Sequence, residues 1–396
     1  MQDQRDSGRQ QVFDTIRSAG RIARIDIARR TTISPATVTA ITSELLGAGL
    51  IEERHPDTPA SAAKRGRPRI ALSVCGDAFL IAGMKVADRQ ISVVLLDFVG
   101  ETVGEYFRPI TDGQMSPSAL AALIQDVLQS ACVEAGRSMG KVAGLGLGLA
   151  GLIDAPRNFV YWSPTLNARN VELGAILEAR MPMPVFLDND ANLVAKAEQH
   201  FGESQGETDF VVVTIEQGVG MGIVIDNKIY RGDRGCGAEL GHTKVQIDGA
   251  MCRCGQRGCL EAYVGDYALL REAAVHGAGL PQNDLAALYA RAQDGDATAR
   301  SIFERAGRML AMGLVNVINV FDPRLVILSG EQMSLDFLDG YQILEQIKDN
   351  VVQVDAPLPE IRVHKWGDLM WAKGAAAYAI EAVSALKIRA LSRDAA

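Results

Sequence analysis

The sequence predicts an α/β protein with an N-terminal winged helix-turn-helix domain, and three observations support this prediction. Residues 1–74 have the pattern of three short helices followed by a basic β-hairpin. Strand-like and helix-like segments then alternate through residues 75–396, as is typical of α/β architectures. At 396 residues, the chain is long enough for two or three domains of about 150 residues each. We therefore expect a small head at 1–74 and a larger body at 75–396.

Apolar spacing and capping residues indicate the helices of the head. The first helix has an apolar stripe made of Val12, Phe13 and Ile16. A second short helix is expected around residues 25–30, before a polar turn. Ser34 is a favourable N-cap and Pro35 a favourable first residue, so a third helix begins there and runs to about Gly47. Spacings of three and four residues place its apolar side chains inward: Val38, Ile41 and Leu45.

The other face of the third helix suits the major groove of DNA. Its side chains are small, uncharged and mostly able to form hydrogen bonds, so they enter a groove without a steric or charge penalty. With the cap residue, the predicted DNA contacts of this helix are Ser34, Thr37, Thr39, Thr42 and Ser43. The alternative is that the three helices form only a packing module.

A basic hairpin tip at residues 64–69 supports the DNA-binding interpretation. Arg65, Arg67 and Arg69 suit contacts to phosphates or a narrow minor groove, as in the wing of a winged helix-turn-helix. The alternative is a solvated linker. Residues 1–73 have a net charge of +4, whereas the remainder has −12, so we expect only the head to meet a polyanion.

Cysteine usage and hydropathy indicate the compartment. Three of the six cysteines lie within eight residues and the others are scattered, which is not a disulfide framework. No apolar run reaches the roughly 20 residues of a membrane-spanning helix. The first residues are polar and charged, unlike a signal segment. We expect a reduced, cytoplasmic protein that does not bind membranes.

Periodicity places the main elements of the body. The predicted strands and helices alternate, with helices covering the sheets. Two such halves would leave a cleft between them, the usual place for a small ligand. The predicted strands are 91–97, 142–149, 185–187 and 210–215, and the predicted helices are 118–134, 191–201 and 296–321.

One cluster of thiols and an imidazole predicts a metal site. His242 is followed by Cys252, Cys254 and Cys259 with interspersed glycines. Three thiolates and one imidazole match the tetrahedral preference of zinc, and four protein ligands predict a structural ion. Incidental buried cysteines and an iron–sulfur site are the alternatives, and the single histidine favours zinc over the latter.

The string from Gly237 to His242, followed by Cys-x-Cys-Gly-x-x-Gly-Cys-Leu-Glu, resembles the signature of the ROK family of repressors, open reading frames and kinases. The resemblance covers nearly the whole chain, including a winged head like that of the repressor branch. It implies a two-lobed, actin-like ATPase (hexokinase-type) body with a structural zinc and a sugar in the cleft. The lobes are expected at about 75–190, with a C-terminal return, and about 191–375.

The same resemblance implies the sugar site. Residues 188–192 match the family's Asp-Asn-Asp-x-Asn segment, in which the carboxylate at Asp190 acts as the base in the kinases. The implied sugar-binding residues are Asn189, Asp190, Glu239, His242 and Glu261. Taken alone, residues 188–190 are also explained as a helix N-cap. Thr165 stands where many members have asparagine, which leaves the sugar substituent open.

The phosphate-binding loops depart from the kinase pattern. Lys85 and residues 87–88 replace the aspartate and glycine pair of the first loop. Glu216 and Glu331 add carboxylates to the second and third loops, where they would repel phosphate. We therefore expect MgATP binding and kinase activity to be lost, so that the protein is not an enzyme.

These features predict a sugar-responsive repressor of carbohydrate genes. The head would bind double-stranded operator DNA, and a sugar effector in the body would release it. Apolar faces on the C-terminal helices suit a homodimer or a dimer of dimers. The alternatives are a sugar kinase with an appended head, and a repressor controlled by a docked phosphotransferase protein.

Overall fold

The computed structural model describes residues 2–54, 70–110, 113–202, 204–276, 284–330, 343–352, 357–365, 367 and 369–393. Helices and strands alternate along these residues, which confirms the mixed α/β class. The chain divides into two compact units. Unit 1 contains residues 1–147, 172–187 and 375–396, and unit 2 contains residues 148–171 and 188–374.

Three helices and a small sheet form the head. The elements are α1 (Gln2–Ala19), β1 (Ile22–Ala23), α2 (Arg24–Thr31), α3 (Pro35–Gly47), β2 (Ile51–Arg54) and β3 (Ala71–Val74). The Oγ of Ser34 accepts a hydrogen bond of 3.2 Å from the backbone N of Thr37, as predicted for an N-cap. Strand β3 pairs antiparallel with both β1 and β2. The predicted hairpin tip, with Arg65, Arg67 and Arg69, lies outside the described residues.

Thr42 corrects the predicted DNA-contacting face of α3. Its side chain is fully buried, whereas the prediction placed it outward. The Oγ1 of Thr42 accepts a hydrogen bond of 3.1 Å from Nε of Arg24 and donates one of 3.1 Å to the carbonyl of Thr39. Thr42 therefore joins α3 to α2, and its hydroxyl is satisfied within the protein.

The last helix, α12 (Met370–Arg393), holds the head through α1. The Nη2 of Arg17 donates a hydrogen bond of 2.8 Å to Oγ of Ser384, and its guanidinium lies 4.8 Å from the centre of the Phe13 ring. Arg9 is 1% exposed and bonds Ser392 of the same helix. The buried charge of Arg9 is compensated by Glu44 at 2.7 Å. The first and last helices of the chain thus share one packing unit.

The remaining elements follow in chain order. The strands are β4 (Leu80–Val86), β5 (Gln90–Leu96), β6 (Thr102–Pro109), β7 (Val142–Leu149), β8 (Leu152–Asp154), β9 (Phe159–Trp162), β10 (Val185–Asn189), β11 (Phe210–Ile215), β12 (Val219–Ile225), β13 (Lys228–Ile229), β14 (Leu325–Ser329) and β15 (Glu360–His364). The helices are α4 (Pro117–Glu134), α5 (Leu173–Glu178), α6 (Asp190–Phe201), α7 (Glu261–Val264), α8 (Asp266–Val275), α9 (Leu285–Gln293), α10 (Ala297–Phe321) and α11 (Ile343–Asn350).

Two five-stranded sheets have the same strand order. One is arranged β10-β7-β4-β5-β6 and the other β15-β14-β11-β12-β13, so each runs fifth, fourth, first, second, third in its own chain order. In the second sheet β11 pairs antiparallel with β12 and parallel with β14. The repeated order agrees with the two-lobed, actin-like body that the family resemblance implies.

Helix α6 packs closely against β12 and thereby fixes the start of α6. A Cβ added at Gly222 would lie 2.7 Å from the carbonyl oxygen of Ala191, so only glycine permits this approach. Among the described residues, no helix is both long and apolar enough to cross a membrane.

Replacing Gly146 tests the contact between β7 and α12. A Cβ at this position would lie 1.8 Å from the carbonyl oxygen of Ala375, and backbone atoms cannot yield to it. Gly146→Ala should lower the free energy of unfolding by about 3 kcal/mol or more, as for severe overpacking. Urea unfolding measures this loss. Gly140→Ala is the control, because its nearest atom would be 3.7 Å away, and equal losses in both variants would contradict the packing argument.

Candidate functional site

The junction of β10 and α6 places three polar residues at one helix start. Asn189 is the N-cap, and its Oδ1 accepts a hydrogen bond of 2.9 Å from the backbone N of Ala191. Its Nδ2 donates one of 2.8 Å to the carbonyl of Gly151. Asp190 is the first helical residue. The capping interpretation is therefore correct for Asn189, and its amide keeps one N–H and one oxygen lone pair for the predicted sugar contact.

Asp188 is a fully buried carboxylate that forms an ion pair with Arg231. Its Oδ2 accepts hydrogen bonds from Nε of Arg231 at 2.9 Å and from Nη2 at 2.5 Å. Its Oδ1 accepts one of 3.0 Å from Nδ2 of Asn192. Removing one partner of a buried ion pair costs about 3–5 kcal/mol, since the other charge is left uncompensated. Sequence reasoning missed Arg231, because nothing in the local pattern links it to a residue 43 positions away.

Three carboxylates of unit 2 interact electrostatically. Desolvation by burial, followed by the negative charges of Asp190 and Glu261, raises the pKa of Glu239 to about 7. This coupling brings together three of the five predicted sugar-binding residues. Carboxylates offer fixed acceptors to hydroxyl groups, and a protonated Glu239 adds a donor. The group can therefore bind a polyhydroxylated ligand.

The four predicted metal ligands lie together. The ligand atoms of His242, Cys252, Cys254 and Cys259 are all within 4.8 Å of one another. The Sγ atoms of Cys254 and Cys259 are 3.8 Å apart, and Sγ of Cys252 lies 3.7 Å from Nδ1 of His242. Tetrahedral zinc with bonds of about 2.3 Å to sulfur separates two sulfurs by roughly 3.8 Å. The donor set and its spacing thus fit zinc.

Two residues that sequence reasoning missed support the thiols. The Nζ of Lys244 lies 2.9 Å from Sγ of Cys259, and this bond raises the pKa of Lys244. The hydroxyl of Tyr267 lies 3.7 Å from Sγ of Cys252 and 3.3 Å from Oε1 of Glu261. Such outer groups orient metal ligands and their neighbours. No spacing rule identifies these two residues, because only the folded structure brings them next to the thiols.

His242 contacts both the thiol cluster and the carboxylates. Its Nδ1 faces Cys252, whereas its Nε2 lies 4.0 Å from Oε2 of Glu239. A metal bound at Nδ1 would fix the ring and leave Nε2–H as a donor toward the carboxylate side. The imidazole is therefore positioned for the two roles that the sequence predicted.

The segments expected to replace the first two kinase phosphate loops lie in a strand and in turns. Lys85 is a buried residue of β4, and Asp88 is exposed in the turn between β4 and β5. Glu216 lies in the tight turn from β11 to β12, where its backbone N donates a hydrogen bond of 2.9 Å to the carbonyl of Gly218. Glu331 lies outside the described residues.

Four of the predicted DNA contacts are exposed on α3 and its cap. The hydroxyl oxygens of Ser34 and Thr37 are 2.8 Å apart. Thr39 and Ser43 donate to the carbonyls of Pro35 and Thr39, which leaves their hydroxyl oxygens as acceptors toward solvent. Thr42 is buried, as described above. The outward surface is thus uncharged and hydrogen-bonding, as predicted from the sequence.

Comparison with known proteins identifies the family. The model of the ROK family matches residues 87–382, about three quarters of the chain. The chain belongs to the ROK family. The matched residues include every predicted metal ligand and sugar-binding residue but not the head.

Known relatives of this ROK protein include regulators and kinases. It is 28% identical to the xylose repressor of Caldicellulosiruptor bescii, over 86% of each chain. A solved ROK family transcriptional regulator, described as a homolog of the E. coli MLC protein, superimposes with a TM-score of 0.80, 26% identity and 98% coverage of both chains. The ROK hexokinase of Thermus thermophilus gives a TM-score of 0.65 and 30% identity, and covers 77% of this chain and 99% of its own. The hexokinase thus matches a shorter part of this ROK protein than the regulator does.

Replacing one predicted metal ligand tests the zinc site. Cys254→Ser should reduce bound zinc from about one ion per chain to a small fraction, because three ligands hold zinc far more weakly than four. Atomic emission after dialysis against a chelator measures the ion. Cys75→Ser is the matched control, since Cys75 lies outside the cluster. Equal zinc in both variants would remove Cys254 from the ligand set.

Proposed function

We propose that this ROK protein is a sugar-responsive transcriptional repressor. The observation that carries the proposal is the extent of similarity, since the chain aligns with a ROK transcriptional regulator over 98% of its length, head included. A sugar bound in the body would release the head from operator DNA. By linkage, the sugar must bind the state with low DNA affinity more tightly, and DNA must weaken sugar binding by the same factor.

The sugar would bind beside the carboxylates of unit 2. Asp190, Glu239 and Glu261 supply acceptors for hydroxyl groups, and Asn189 and His242 supply donors. Thr165, which is 8% exposed, stands where many family members have asparagine. Because the hydrogen-bonding group at that position differs, the bound sugar can differ too, so several sugars are tested. D-xylose is tested first because a relative is named a xylose repressor.

Zinc would act as a structural ion in this protein. His242, Cys252, Cys254 and Cys259 would hold one ion per chain, with four protein ligands closing its coordination shell. The metal would fix the orientation of His242 and so couple the loop to the sugar. Cys254→Ser should therefore lose sugar response before it loses DNA binding. A normal response in that variant would contradict the coupling.

The head would bind a palindromic operator. Ser34, Thr37, Thr39 and Ser43 would enter the major groove, and Arg65, Arg67 and Arg69 would contact phosphates or the minor groove. A homodimer or dimer of dimers would place two heads on half-sites about one or two helical turns apart. The reduced cytoplasm suits both DNA binding and free zinc-ligating thiols.

A sugar kinase with an appended head is the second candidate. Asp190, the kinase base by resemblance, is retained, and the hexokinase of Thermus thermophilus is similar in fold. The carboxylates introduced at the phosphate loops argue against MgATP binding. A coupled ATPase assay with a hexose panel separates the two. Turnover that disappears in Asp190→Asn would overturn the proposal that kinase activity is lost.

Fluorescence anisotropy tests the proposed function directly. Labelled DNA from upstream of the protein's own gene is titrated with the full-length chain, then with D-xylose, D-glucose and N-acetyl-D-glucosamine. Tight, salt-dependent binding that one sugar releases would support the repressor. Absence of DNA binding would contradict it, and binding that no sugar changes would contradict the sugar response.

Replacing Glu239 should separate sugar sensing from DNA binding. Glu239→Ala is expected to raise the sugar concentration needed for release by about tenfold, since one lost hydrogen bond to a charged group costs roughly 1.5 kcal/mol. Operator affinity without sugar should change little. The same anisotropy assay measures both quantities, and Glu345→Ala serves as an exposed control in unit 2. An unaltered sugar response would remove Glu239 from the site.

Replacing Arg67 tests the wing. Arg67→Ala should weaken DNA binding at low salt. The slope of log K against log salt concentration should become shallower by about one, as for the loss of one phosphate contact. Arg137→Ala, an exposed residue of the body, is the control. If the two variants bind DNA equally well, the basic tip is only a linker.

A further inference from the structure

Arg231 is bonded to both segments that carry sugar-site residues. Its guanidinium donates to Oδ2 of Asp188 from Nε at 2.9 Å and from Nη2 at 2.5 Å. Its backbone carbonyl accepts a hydrogen bond of 2.8 Å from the N of Gly237. Asp188 directly precedes Asn189 and Asp190, and Gly237 lies two residues before Glu239. One residue therefore spans the gap between two segments that are far apart in sequence.

The first segment is fixed by the buried carboxylate of Asp188. Its Oδ1 accepts a hydrogen bond of 2.8 Å from the backbone N of Asn189 and one of 3.0 Å from Nδ2 of Asn192. This oxygen therefore faces the start of α6. Its Oδ2 faces Arg231. Two N–H groups of one planar guanidinium fix the direction of this contact, which a lysine cannot reproduce.

The second segment approaches Arg231 through a glycine. A Cβ at Gly237 would lie 3.0 Å from the carbonyl carbon and oxygen of Arg231, closer than nearly all real contacts. The next residue, Ala238, has a φ of +68°, which an alanine adopts only when its surroundings impose it. The bond from Gly237 to Arg231 is one such constraint, and Glu239 follows this turn.

We propose that Arg231 is the positioning residue of the sugar site, holding Asn189 and Asp190 at a fixed distance from Glu239. The inference rests on the proposed function, because it assigns Arg231 to the sugar affinity of that site. Hydroxyl recognition needs acceptors that are already in place, since ordering them at binding costs affinity. In this role Arg231 acts through the two segments and not as a sugar contact.

Three variants test this role in the full-length protein. Arg231→Lys keeps the positive charge but loses the paired N–H donors of the guanidinium, and Arg231→Gln loses both the charge and the paired donors. Arg231→Gln combined with Asp188→Asn removes the uncompensated buried charge. Arg234→Gln is the control, because Arg234 is exposed in the same loop. Calorimetric titration with D-xylose, D-glucose and N-acetyl-D-glucosamine measures sugar affinity, and thermal unfolding measures stability.

Sugar affinity and stability should separate. We expect at least a tenfold weaker sugar affinity in Arg231→Lys and Arg231→Gln, with no change in Arg234→Gln. The double variant should regain the Tm lost by Arg231→Gln while its sugar affinity stays low. Wild-type sugar affinity in Arg231→Lys, or recovery of both properties in the double variant, would overturn the proposal.

Hydrogen exchange provides a readout that needs no sugar. Arg231→Gln should accelerate amide exchange at least tenfold in both segments, 188–192 and 237–242, while the head keeps wild-type protection. Unchanged protection in both segments would overturn the inference. If no sugar binds the wild-type chain, the proposed function fails, whereas the exchange data still decide whether Arg231 holds the two segments.

Discussion

The imidazole of His242 is the contact on which the site depends. One ring nitrogen faces the thiols and the other faces Glu239, so the zinc loop and the carboxylate cluster share a single side chain. The chain between His242 and Cys259 brings the four candidate ligand atoms within 4.8 Å of one another. Under the proposed function, a zinc ion held by the thiols would set the position of Glu239 through His242, without contact between ion and sugar.

Local elements could be predicted from the sequence because local signals determine them. The bounds of β7 and β11 follow from hydrophobic runs, and the start of α3 follows from its N-cap at Ser34. Thr42 could not be placed, because a hydroxyl beside a buried isoleucine gives no sign that Arg24 of another helix will bond it. The duplicated strand order depends on pairing between distant segments, and only the family resemblance indicated it.

In the candidate site, too, residues within motifs could be predicted from the sequence, whereas residues that act through tertiary contacts could not. All four residues of the His/Cys cluster and the carboxylates at Asp190, Glu239 and Glu261 could be named from motifs, because the spacing of a motif reflects its chemistry. Arg231, Lys244 and Tyr267 support those residues from positions without a motif. In the proposed function, the matching sugar-site residues and the acidic residues expected in the phosphate loops favour sugar sensing over sugar phosphorylation.

The contact between the first and last helices has a consequence for synthesis on the ribosome. Arg9 and Arg17 emerge early, yet their partners Ser392 and Ser384 are separated from them by 383 and 367 residues. The head therefore leaves the exit tunnel without the helix that completes its packing. An unfinished chain displays α3 on an incomplete support, so full assembly of the head waits until Ser384 and Ser392 have left the exit tunnel.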